Sequence, residues 1–97
     1  MLRHIVSFKL KGTPKERLDA ASRFRDALLA LPEKLDFLRN MQVGINANPD
    51  EEWDIVLIAD VDNWEDLKRY AEHPDHLAAA AIIKDFKDNR ACVDFEI

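Results

Sequence analysis

Seven consecutive residues hold most of the side chains in this chain that can move a proton near neutral pH. The stretch Tyr70-Ala71-Glu72-His73-Pro74-Asp75-His76 contains the only tyrosine and two of the three histidines. An imidazole changes charge at a pKa of about 6.5, so it can abstract a proton from a carbon beside a carbonyl. His76 is the candidate base. Tyr70 is its candidate partner, because a phenol can hold the imidazole or donate to an enolate oxygen as it forms. These two are the expected catalytic residues. The third histidine, His4, alternates with Val6 and Phe8 near the N-terminus. A few polar groups on an apolar surface make up most small-molecule sites, so His4, Phe8 and His73 are the expected substrate contacts. A plainer role competes with this one: His73 and His76 would bond to backbone groups freed by Pro74, and His4 would be a satisfied interior histidine.

Other chemistries find less support. His73, Asp75 and His76 suggest metal ligands, but Pro74 breaks the helix that would hold both imidazoles on one face, so neither metal nor cofactor is expected. The single cysteine, Cys92, excludes an internal disulfide. It is expected to fill space in a strand, since nothing nearby in sequence would lower its pKa. There is no glycine-rich phosphate loop, nucleophile elbow or Cys-x-x-Cys.

The elements that must position these groups follow from periodicity. Residues 3–11 alternate, with His4, Val6, Phe8 and Leu10 on one side of a strand. Thr13-Pro14-Lys15-Glu16 is a helix start with a cap, a proline at the first position and a capping-box glutamate. The helix carries Leu18, Ala21, Phe24, Leu28 and Leu31 on one stripe and ends at Pro32. Strands are expected over 37–47 and 52–61, the latter apolar on both faces. Asp62 or Asn63 caps a second helix with Trp64, Leu67, Tyr70 and Ala71 inward, interrupted at Pro74 and resuming to about Phe86. A turn at Asp88-Asn89 leads to a last strand over 91–97. The order β-α-β-β-α-β on one antiparallel sheet is the ferredoxin-like arrangement, with both helices on one face.

The second face of such a sheet would then lie bare. His4, Val6 and Phe8 are assigned to it, facing a barrel interior formed with a second copy of the chain. A homodimer is therefore expected, with a small apolar ligand as a further partner. The net charge of −5 and the mixed order of acids and bases exclude nucleic acid and an anionic membrane surface as main partners. At 97 residues the chain is expected to form one domain over 1–97, and with no leader or membrane span in view it is expected in the cytoplasm.

Three segments carry a family likeness: Leu2-Arg3-His4-Ile5-Val6-Ser7-Phe8-Lys9-Leu10-Lys11, the Tyr70–His76 stretch, and Val93-Asp94-Phe95-Glu96. Together they resemble the stress-responsive dimeric α/β-barrel (Dabb) family, over nearly the whole chain. The resemblance implies a homodimeric barrel. One plant branch of the family includes a cofactor-free polyketide cyclase that works by aldol condensation. Its chemistry is assigned to a tyrosine ahead of His-Pro-x-His and to the second histidine of that motif, which match Tyr70 and His76. A first-strand histidine lining its pocket matches His4. The function expected is thus a cyclase- or lyase-type enzyme, or a binder, acting on an apolar carbonyl compound. The alternative is a non-enzymatic stress-associated protein whose barrel is packed by Phe8, Met41, Trp53 and their mates.

Overall fold

The computed structural model describes all residues, 1–97. Strand β1 (Leu2–Leu10) shows the expected alternation, with Val6, Phe8 and Leu10 buried and Ile5, Ser7 and Lys9 half-buried. The chain turns at Gly12, whose φ of +115° lies in the region that side chains disfavour. Helix α1 (Pro14–Leu29) opens on the capping box: Thr13 Oγ1 accepts the Glu16 N–H at 3.2 Å, and the Glu16 carboxylate accepts the Thr13 N–H at 3.1 Å. Its buried arc is Ala20, Ala21, Phe24 and Leu28. Leu18, expected in this arc, is 56% exposed. At about 100° per residue it lies roughly a quarter turn from the centre of the arc.

A short 3-10 turn (Leu31–Glu33) and a loop burying Leu35, Phe37 and Leu38 lead to β2 (Asn40–Ile45) and β3 (Ile55–Val61). Helices α2 (Trp64–Glu72) and α3 (Pro74–Ile83) follow, then β4 (Lys87–Glu96). The last strand begins earlier than its polar sequence indicates, because Lys87 and Asn89 pair with Leu10 and Lys9 across a register shift. The sheet order is β2-β3-β1-β4, every pair antiparallel, which is the ferredoxin-like α+β fold.

Which face the helices cover differs from the sequence reading. Val6, Phe8 and Leu10 join Met41, Ile55, Leu57 and Ala59 in one core with Phe24, Leu28, Tyr70 and Ile83, so the His4 side of β1 faces the helices. Alternation separates two faces of a strand but does not say which is covered. Phe8 and Met41 consequently pack under the helices and not in a barrel between two sheets. The uncovered face carries Ile5, Val56, Ile58, Val93 and Phe95, with Val93 63% exposed. It also carries Asp60, which is buried and accepts two hydrogen bonds from the Arg3 guanidinium at 2.9 and 3.0 Å and one from Asn40 at 3.1 Å. The Arg3 bonds hold the Asp60 carboxyl below its ordinary range against the opposing effect of burial. No helix is long and apolar enough to cross a membrane.

Candidate active site

The elbow between α2 and α3 is built by its own residues. Asn63 Oδ1 caps α2 by accepting the Asp66 N–H at 2.8 Å. Pro74 excludes helical geometry from the residue before it, so His73 is extended (φ −65°, ψ 135°) and α2 stops. The proline then starts α3, and His73 Nδ1 accepts the Asp75 N–H at 3.1 Å as the cap. That N–H would otherwise bond to the Ala71 carbonyl one helical turn earlier. His76 takes its place: Nδ1–H donates to Ala71 O at 3.1 Å. A carbonyl only accepts, so the proton sits on Nδ1 and neutral His76 keeps its lone pair on Nε2. Burial lowers the pKa of His76, outweighing the opposing pull of the Ala71 carbonyl, so the free base prevails near neutrality.

Tyr70, on the last turn of α2, is 1% exposed. Its ring centre lies 4.4 Å from that of His76, tilted by 51°, and 6.0 Å from that of His4, edge to face. Its hydroxyl is sealed from water and has no hydrogen-bond partner. Burial pushes the phenol pKa far up, so the group stays an O–H donor.

His4 faces this pair from β1. The register sets it opposite Asp94 on β4, and its Nδ1–H donates to Asp94 Oδ1 at 2.5 Å. Cys92, two residues along the same face of β4, lies 3.5 Å from His4 Nδ1 and 3.6 Å from Asp94 Oδ1. It is exposed and hydrogen-bonded, so it is not the apolar filler expected. Partial desolvation of the sulfur against β1 and the Asp94 charge push its pKa up, which leaves a thiol and not a thiolate nucleophile. His4 Nδ1, Cys92 Sγ and an Asp94 oxygen all lie within 4.8 Å of one another, the one N/S/O set in the chain with the spacing of metal ligands. The set differs from the His73–Asp75–His76 group considered from sequence.

These groups line a cleft of about 580 Å³. It opens because α2 and α3 cover β1 and β3 but leave the helix side of β4 bare. Val6, Phe8, Phe24, Leu57 and Ile83 form its apolar wall, with Tyr70, His76 and His4 as polar fixtures. Of the residues expected at the site, Tyr70, His76, His4 and Phe8 converge here. His73 does not, because its imidazole is turned to the α3 backbone. Trp64, expected inward, is 59% exposed at the rim. Asp94 was missed, as was Arg90, which lines the same cleft from β4. Asp94 is separated from His4 by 90 residues, and only the pairing of the last strand with the first brings them together. The available signal was an acid set between Val93 and Phe95.

A four-stranded antiparallel sheet of order β2-β3-β1-β4 with its helices on one face places the chain in the ferredoxin-like α+β class. The chain belongs to the stress responsive A/B barrel domain (Dabb) family, whose model matches residues 2–97. It is similar to an uncharacterised protein of Streptomyces coelicolor, 33% identical over 89% of this chain and 90% of the relative. A crystal structure of a dimeric ferredoxin-like protein of unknown function from Bacteroides fragilis is 44% identical, with a TM-score of 0.96 over 99% of this chain and 95% of that one. The hydroxynitrile lyase of Passiflora edulis shares the fold at a TM-score of 0.75 and 14% identity, over 99% of this chain and 92% of its own.

Proposed function

We propose that this chain works as a homodimeric, cofactor-independent enzyme of the cyclase or lyase type, acting on an apolar carbonyl compound. His76 Nε2 takes a proton from the carbon next to the carbonyl, and the C–H electron pair becomes the enolate. Tyr70 O–H donates to the enolate oxygen. The enolate carbon then attacks a second carbonyl of the same molecule, and His76 returns its proton to the alkoxide, closing a ring. Run backwards, the same steps break a carbon–carbon bond. His4, held by Asp94, orients the substrate against the apolar wall.

The observation that carries this reading is the Tyr70 hydroxyl, buried and unpartnered beside a histidine whose tautomer is set by Ala71. In this reading a ligand oxygen that enters the cleft and reaches the hydroxyl supplies the missing partner. Support of a coarser kind comes from a lyase with the same fold. The dimer is supported by the bare apolar face and by the dimeric Bacteroides relative. A protein with a side-chain-filled interior fits less well with a cleft of about 580 Å³ that reaches Tyr70 and His76.

The test is α-proton exchange of acetophenone in deuterium oxide, followed by proton NMR. The parent protein should accelerate exchange, and His76→Ala should lose roughly 10²–10⁴-fold of that acceleration. Exchange at the same rate with parent and variant would overturn the assignment.

A further inference from the structure

We infer that the ligand of this cleft is an organic anion, with an apolar body and a terminal carboxylate held at the mouth by Lys68, Lys87 and Arg90. The inference rests on the reading of Tyr70 and His76 as the groups that meet a carbonyl.

The chain carries 19 acids against 14 lysines and arginines, and half of those cations are held by an acid. Arg3, Lys9, Arg17, Arg23, Arg25, Arg39 and Arg69 each pair with a carboxylate within 3.5 Å. Seven cations have no such pair; Lys11, Lys15, Lys34 and Lys84 lie away from the cleft that holds Tyr70 and His76, whereas Lys68, Lys87 and Arg90 line it. The only carboxylate in the wall is Asp94, already engaged by His4 and Cys92. Three cations against one carboxylate leave the wall two charges positive, on a chain whose net charge is −5. Such a concentration of unpaired charge attracts anions and disfavours cations.

The placement is directional. Lys87 and Arg90 sit opposite Leu10 and Phe8, at one end of the β1–β4 ladder, whereas His4 and Asp94 sit toward the other. At about 3.3 Å per residue, Arg90 and Asp94 are roughly 13 Å apart along β4. A ligand whose carbonyl oxygen meets Tyr70 therefore extends its far end toward the cations, past Val6 and Leu57. A guanidinium is suited to a carboxylate, which it can bind through two parallel hydrogen bonds.

The experiment compares two probes with one skeleton: benzoylpentanoate, a phenyl ketone with a terminal carboxylate, and its neutral amide. Dissociation constants are measured by titration calorimetry at low salt and at about 0.5 M sodium chloride. On the parent protein at low salt the carboxylate should bind about 10-fold tighter than the amide. High salt should remove that advantage, and so should Lys87→Gln with Arg90→Gln, whose amide affinity stays at the parent value. Both positions are exposed, so the double variant should melt with the parent. An amide that binds as well as the carboxylate sinks the anion inference and leaves the carbonyl reading standing. A carboxylate advantage that survives in the double variant sinks it too. If neither probe binds, both readings fall together.

Discussion

A phenol sealed from water with no partner costs a protein about 1–3 kcal/mol, and Tyr70 carries one. Two effects of opposite sign follow from deleting that oxygen. Tyr70→Phe should leave thermal stability unchanged or raise it, because no hydrogen bond is lost and an unsatisfied group is removed. The same substitution should lower catalysed α-proton exchange by about 10²–10³-fold, the range for a lost oxyanion donor. A clear fall in melting temperature would mean that the hydroxyl has a partner inside the fold. His76 adds a pH dependence. Its imidazole is held below the ordinary 6.5 chiefly by burial, so the unfolded chain binds that proton more readily than the folded one. Stability from this source is thus in place above about pH 6.5 and is lost on acidification through the folded pKa. Urea melts at about pH 7.5 and about pH 5 should show the loss, and His76→Gln should remove this component. Activity should fall over the same acid limb, since protonated His76 has no lone pair to offer. Tyr70, with its pKa pushed far up, should contribute no alkaline limb.

Between residues and molecule, the elbow at His73-Pro74 is the device that aims His76. The His73 cap on Asp75 frees the Ala71 carbonyl for the His76 imidazole, so a residue outside the cleft sets the tautomer inside it. His73→Ala should destabilise the fold by about 0.5–2 kcal/mol, the usual range for a lost cap. It should also lower kcat with little change in KM, because His73 positions the base and does not touch ligand. His73→Asn, which can still cap, should restore both. A variant with full kcat would show that His76 is aimed without the cap. This elbow was legible in sequence because its cause is local: a proline between two helical patterns, with histidines at either side. The α1 capping box was legible for the same reason. What escaped is what two distant segments settle together. The start of β4 at Lys87 is dictated by pairing with β1 and not by its own polar residues. Leu18 and Trp64 fit a stripe by spacing, yet both lie exposed, outside the buried arc that the sheet selects. The Asp94 partner of His4 required the register itself.

For the whole molecule, the decisive point is which side of the sheet holds the chemistry. From alternation alone, His4 could as well face a partner copy, and the site would then exist only in a dimer. The helices cover that side instead, so Tyr70, His76, His4 and Asp94 all come from one chain and meet within a protomer. The opposite side, with Ile5, Val56, Ile58, Val93 and Phe95, is the apolar face left for a second copy. Assembly and chemistry are thereby separable, and one substitution tests the separation. Val93 is 63% exposed in the protomer, so Val93→Glu leaves the protomer core untouched while placing a carboxylate against the apolar face of the partner. Sedimentation velocity should find the parent as a dimer and this variant as a monomer at micromolar concentration. The monomer should keep its fold by circular dichroism and bind benzoylpentanoate within about threefold of the parent, since no residue of the cleft belongs to the face that changed. A folded monomer that no longer binds would show that the partner copy shapes the site. A variant that stays dimeric would place the contact on some other surface, against the argument that the bare side of the sheet is what the second copy covers.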